Sequence, residues 1–361
     1  MLLTAGTDTL RPLPFLVGVM PKLPRLVLAA LALAGVFPPL AMAQSGYHVA
    51  KRINTRGEGG WDYLTVDTVA HRLYVSRGTH VQVLDTDGDS LIGDIAGTAG
   101  VHGVAVAPAL GRGFTSNGRD SSVTIFDLRT LAPIGVVHGT GANPDAILFD
   151  QGSGRVFTFN GRSESATAID AAAGTIVGTV ALGGKPETAQ SDGGVVYVNI
   201  ETRNEVVLFD AKSLAILGRI ALPACDEPTG MAIDRAKGRL YVGCGRNRMM
   251  AVVDYRRRAL LTTVAVGAGV DANGFDAATG LAFASAGDGT LSVVREDLPN
   301  HFVAELIPTV RGARTMALDE RTHRIYLSSA EYGVVPAPTA AQPRPRAPLV
   351  PGSFTILVLE R

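Results

Sequence analysis

One pattern of about 42 residues runs through this chain seven times. Each copy pairs an aromatic-led apolar run, entered from a turn, with a second run that closes on a polar residue, usually acidic. Arg72-Leu73-Tyr74-Val75-Ser76 leads to Val83-Leu84-Asp85, and Gly113-Phe114-Thr115-Ser116-Asn117 leads to Ile125-Phe126-Asp127. The same pairing recurs from Arg155 to Asp170, Val196 to Asp210, Arg239 to Asp254, Leu281 to Arg295 and Arg324 to Glu360. The acidic position steps by 42, 43, 40 and 44 residues through Asp85, Asp127, Asp170, Asp210 and Asp254. A fixed period of this size means one small unit that buries its apolar faces only against its own copies.

Within a copy the period drops to that of a strand. The third holds Ala146–Phe149, Val156–Phe159, Ala166–Ile169 and Ile176–Val180, separated by Gln151-Gly152-Ser153-Gly154 and by 171–174. Short β-branched or aromatic runs between turn residues are strand signals. Four strands per copy, seven times over, predict an all-β, seven-bladed β-propeller. The turns explain the glycine content: 42 in 361 residues is about 12%, against roughly 7% in average usage. The last copy stops after its third strand, and Tyr47–Ile53 reads as a strand standing before the first. The N-terminal strand is therefore expected to complete the last blade and leave no open edge.

Composition removes other classes. Lys plus Arg and Asp plus Glu both number 33, charged residues are 18% and hydrophobic residues 46%, so neither a nucleic-acid arm nor a disordered chain fits. Met20 to Ala43 reads as a signal peptide: Lys22 and Arg25, an apolar run from Leu26 to Val36, then Ala41-Met42-Ala43 as a cleavage site. Residues 1–19 read as an upstream extension. Cleavage would leave 30 basic and 32 acidic residues in a periplasmic or secreted chain with no membrane span. In an oxidising compartment Cys225 and Cys244, placed near one rim, suit a disulfide better than copper or a reactive thiol.

At Tyr197-Val198-Asn199, Phe114-Thr115-Ser116-Asn117, Ile169-Asp170 and Gly183-Gly184-Lys185-Pro186 the chain resembles the YVTN-repeat, YncE-like secreted propellers. The resemblance spans about residues 47 to 361. It implies the propeller fold, and it leaves activity open because that group includes proteins without enzyme activity, binders of macromolecules and related lactonases and lyases. Trp61-Asp62 occurs once, at the start of an innermost strand, so there is no WD40 signature. A proline-rich insertion at 332–352 in the last blade departs from the pattern.

Aligning the seven innermost strands on Asp67, Ala107, Asp150, Asp192, Asp234, Asp276 and Asp319 and stepping back five residues gives Asp62, His102, Asp145, Glu187, Thr229, Asp271 and Arg314. This column is expected to ring one mouth of the central channel, preceded by apolar or stiff residues such as Trp61 and Pro144. The second-strand ends bring Arg77, Asn117, Arg119, Asn160, Arg162, Asn199, Glu201, Arg246 and Glu331 to the same rim. Asn117-Gly118-Arg119 and Asn160-Gly161-Arg162 repeat one triplet in adjacent blades, which suggests a clamp for an anion or carboxylate.

Four carboxylates and an imidazole on one axis can hold a divalent cation, Ca²⁺, Mn²⁺ or Zn²⁺, with Asp62, His102, Asp145, Glu187 and Asp271 as ligands. They can also act as acid and base, with His102, Asp145 and Glu187 as the catalytic groups, because crowded carboxylates raise one another's pKa. They can equally hold only water. Arg119, Arg162, Arg246, Arg314, Asn117, Asn160 and Trp61 are the expected substrate contacts. The insertion is expected on the ring's face as a lid or binding loop, with Arg344 and Arg346 leaning inward. The sequence holds no Gly-x-Ser-x-Gly elbow, His-Glu-x-x-His, P-loop or haem motif. Three functions stay open: a monomeric module binding a small anionic ligand, a metal-dependent lactonase or lyase, and a scaffold for an envelope protein.

Overall fold

A computed structural model describes residues 11–15, 18, 44–55, 57, 59–339, 342–343, 345 and 347–361. Two units separate, Met1–Ala43 and Gln44–Arg361. In the first, 11–15 and 18 carry no regular structure, and the signal segment expected at 20–43 lies outside the described residues. No described helix is long and apolar enough to cross a membrane.

Among the described residues of the second unit, 28 strands form seven antiparallel sheets of four. Blades 1 to 6 run from Leu64, Val101, Pro144, Pro186, Pro228 and Val270, each with its four strands in chain order from the inside out. Blade 7 takes three strands, Met316–Asp319, Arg324–Ser329 and Thr355–Glu360, and is completed on the outside by His48–Asn54. That N-terminal strand pairs antiparallel with Thr355–Glu360, from His48 opposite Glu360 to Asn54 opposite Thr355.

Both aspartate periods turn out to be turn devices. Asp127 Oδ1 accepts from the backbone N–H of Arg129 and Thr130, at 3.0 and 2.7 Å, and Asp170 and Asp210 repeat the arrangement. The aspartates that end innermost strands do the same: Asp67 receives the N–H of Val69 and Ala70, and Asp150 that of Ser153. A short side chain that satisfies the N–H groups of its own turn closes a hairpin cheaply. The core lies between blades, in clusters such as Phe157, Phe159, Val196, Val198, Val207 and Phe209, with Phe157 and Phe209 in edge contact at 5.4 Å.

Candidate functional site at the channel mouth

The ring column occupies a break in the ladder. In blade 2, Val101 pairs with Asn117 and the next pair is Val104 with Thr115, so His102 and Gly103 face Ser116 alone. The same two-against-one shift falls at Asp145-Ala146, Glu187-Thr188 and Thr229-Gly230, and in blade 6 Asp271 is skipped between Val270 and Ala272. In blades 1 and 7 regular pairing starts only at Leu64 and Met316, beyond Asp62 and Arg314. A residue freed from the ladder by a bulge can re-aim its side chain, and here the same device repeats around the mouth.

At four of the junctions one blade also latches the next. Tyr63 N–H donates to the His102 carbonyl at 3.1 Å, Asn199 Nδ2 to that of Thr229 at 2.8 Å, Ser116 Oγ to that of Asp145 and Ser285 Oγ to that of Arg314. The backbone of the ring at His102, Asp145, Thr229 and Arg314 is thus fixed from the neighbouring blade.

Three ring side chains converge. His102 Nδ1 lies 2.6 Å from Asp62 Oδ2 and 3.5 Å from Asp145 Oδ1, and one ligand atom from each of the three falls within 4.8 Å of the others. The remaining carboxylates are engaged elsewhere, which divides the expected five-ligand set. Glu187 accepts from Lys185 Nζ at 2.7 Å and from Tyr63 Oη at 3.3 Å, while Lys185 also pairs with Glu201. Asp271 faces the guanidinium of Arg314 at 3.4 Å. Thr229 turns its hydroxyl to the Val270 carbonyl at 2.9 Å.

Burial makes the ring retain protons. It lifts Asp145 to about 6, helped by Asp62 and opposed by His102. It lifts Asp271 to about 6 against the pull of Arg314, and Glu187 to about 8 with Asp145 adding to the rise. Burial disfavours charge on His102, but its hydrogen bond to Asp62 and the fields of Asp145 and Asp62 win, so its pKa is raised. Tyr63 is held well above its ordinary value by burial and by Glu187, so it stays a donor.

Several expected contacts fall elsewhere. Asn117 is buried, its Oδ1 accepting from Thr115 and its Nδ2 donating to Ser122 and Thr124; Asn160 repeats this with Thr158, Ser165 and Thr167. Both therefore stitch hairpins and do not face the mouth. Asn199 stands one residue earlier against its ladder, with Ile200 taking the place opposite Pro186, and that single step turns it to the next blade. Arg77 is fully buried, stacked 3.7 Å over Phe354 and bonded to Gln82 and loop carbonyls. Arg246 is paired with Glu227. Arg119 and Arg162 are exposed and make no side-chain hydrogen bond or ion pair among the described residues. Trp61 is half-buried against Phe354, 5.3 Å away. Arg344 and Arg346 lie outside the described residues. Cys225 and Cys244 form a disulfide.

Tyr63 and Lys185 are the functional candidates that the column alignment passed over. Tyr63 had a signal: its counterparts are Gly103, Ala146, Thr188, Gly230, Ala272 and Thr315, all small, which leaves room for one long ring. Lys185 stands beside Pro186 in the repeat motif, two residues before the ring's Glu187.

No family model matches the chain. No curated protein matches it either. Among solved structures it is similar to a chain in the crystal structure of a mitotic checkpoint complex, with TM-score 0.71 and 14% identity over 97% of this chain and 98% of that one. It is also similar to the WD40 β-propeller domain of Doa1, with TM-score 0.67 and 12% identity over 88% and 98%. Likeness at such identity is a likeness of fold: the seven-bladed propeller is shared and the WD40 signature is not.

Proposed function

We propose that this propeller is a secreted or periplasmic binding module of the YVTN type, taking one divalent cation and a small anionic ligand at its channel mouth. The observation that carries the reading is the convergence of Asp62, His102 and Asp145 within 4.8 Å, on a rim that also carries Arg119 and Arg162, two exposed guanidinium groups without a side-chain partner among the described residues. Two carboxylates with one imidazole fit Mn²⁺ or Zn²⁺ better than Ca²⁺, which takes six to eight oxygens. When bound, the cation would supply a positive centre for an anion's oxygen. Asp62 would hold the imidazole, Arg119 and Arg162 would meet the ligand's outer charge, and Tyr63 would keep Glu187 across the channel. The Cys225–Cys244 bridge supports an oxidising compartment.

The test is calorimetric titration of EDTA-treated full chain with MnCl₂, ZnCl₂ and CaCl₂. One Mn²⁺ or Zn²⁺ per chain is expected, with Ca²⁺ weaker and affinity falling at least about tenfold in His102→Ala and in Asp145→Ala. Absence of stoichiometric binding to folded protein would overturn the reading. If the cation binds, a panel of lactones and esters tests the metal-dependent lactonase alternative with the same ring. The similar chain from a mitotic checkpoint complex, a protein assembly, supports a second reading, a scaffold for an envelope protein.

A further inference from the structure

A groove of about 940 Å³ opens between the entry to blade 1, the turn before blade 7 and the proline-rich insertion. The insertion leaves the second strand of blade 7 after Ser329 and returns before Thr355. Its base is tied by the Val350 N–H to the Glu331 carbonyl at 2.9 Å and the Gly333 N–H to the Pro348 carbonyl at 2.8 Å. That stem sets Tyr332 beside Trp61, ring centroids 6.5 Å apart. Trp61 is backed by Phe354, on which the buried Arg77 stacks, so the indole is held from behind. Gly312, at φ +86°, lets the Tyr332 ring lie over the turn, since a Cβ there would stand 2.9 Å from its hydroxyl.

The chemistry of the lining is lopsided. Trp61, Tyr332 and Leu349 give it flat and apolar walls, and Arg311 and Arg314 give it charge, while no described acidic residue lines it. On a rim crowded with carboxylates that is a change of sign. Arg311 is exposed and has no ion pair or side-chain hydrogen bond among the described residues, and neither the indole N–H of Trp61 nor the Tyr332 hydroxyl has a partner there. Among the described residues the Arg314 side chain is held only by Asp271, at 3.4 Å. Flat aromatic walls select a planar apolar body, and guanidinium groups in the same lining select a carboxylate.

We propose that this groove binds a small aromatic carboxylate, its ring against Trp61 and Tyr332 and its carboxylate on Arg311 and Arg314. The site is separate from the Asp62, His102 and Asp145 cluster and needs no cation.

Trp61 is the single tryptophan of the chain, so its fluorescence reports occupancy directly. EDTA-treated full chain is titrated with benzoate, benzamide and acetate. Benzoate is expected to change the emission saturably, and benzamide and acetate to bind at least about tenfold more weakly, the scale of one charge-assisted contact. Arg311→Gln and Tyr332→Leu should each weaken benzoate about tenfold or more. Equal response to benzoate and benzamide, no saturable change, or an unaltered Arg311→Gln would overturn the proposal. Binding of a peptide ending in phenylalanine but not of benzoate would overturn it too, in favour of a protein terminus. Because EDTA is present throughout, failure here is distinct from failure of the cation site.

Discussion

Glu187 carries a buried carboxyl between the ammonium of Lys185 and the hydroxyl of Tyr63. It, Asp145 and Asp271 hold protons more tightly in the folded chain, at about 8, 6 and 6 against ordinary values of 4.5 and 3.8. His102 is raised as well. The sign is the same for all four. Between the ordinary carboxylate range and about pH 8 the folded state binds more protons than the unfolded one, so stability falls as pH rises. In EDTA-treated protein, Glu187→Gln should melt roughly 2–4 °C above the parent at high pH and close to it at acidic pH. Calorimetry at both ends checks this, and an identical pH slope for the two proteins would show that Glu187 titrates normally. Glycine makes the second residue-scale case. At Gly118 a Cβ would stand 2.6 Å from His102 Nε2. Gly118→Ala should therefore weaken Mn²⁺ binding about tenfold by displacing the imidazole while leaving Tm nearly unchanged, measured by paired calorimetry and thermal melts.

At the scale of elements, the repeated device is an innermost strand whose first residues leave the ladder. The sequence column located those residues, because Pro144, Pro186 and Pro228 and the closing aspartates mark the strand's ends. It could not show that they are unpaired, since a bulge is a relation between two strands and only one of them was in view. The same limit misplaced Asn117 and Asn160. By spacing they belong with Asn199 at the rim, but strand faces alternate with a period of two, and one residue of register separates a hairpin stitch from an inter-blade latch. The insertion is an element of another kind. Its stem carries Tyr332 to Trp61, residues 271 positions apart in sequence, and so builds a wall that neither segment has alone.

For the whole molecule the decisive contact is closure. His48–Asn54 completes blade 7, and the residues before it bind blade 6 as well: Ser45 N–H donates to Glu305 at 2.7 Å and Tyr47 meets Phe283 at 5.2 Å. Removing 44–54 would expose the edge of Thr355–Glu360 and uncover the buried Tyr47 site. Such a truncation should lower Tm by more than about 10 °C or leave the protein aggregated, judged by scanning calorimetry and light scattering. Retention of the parental Tm would show that the ring of blades is stable without its closing strand. The near-sevenfold backbone is also what makes a site possible: seven equivalent positions face one axis, and their side chains differ.

The sequence by itself determined the architecture. A period near 42 with four apolar runs per copy, and a strand standing ahead of the first copy, admits a closed seven-bladed propeller, because that arrangement buries every repeat face and pairs both termini. It also defined a column of seven equivalent positions, since one position per repeat is enough for that. Only the tertiary structure decided which ring members meet. Asp62, His102 and Asp145 come from three adjacent blades, Tyr63 reaches Glu187 from blade 1 to blade 4, and Lys185 and Arg314 draw the other carboxylates away. Periodicity fixes where a backbone position lies. Which side chains touch depends on length, rotamer and charge across the channel, and those distances exist only once the blades have closed.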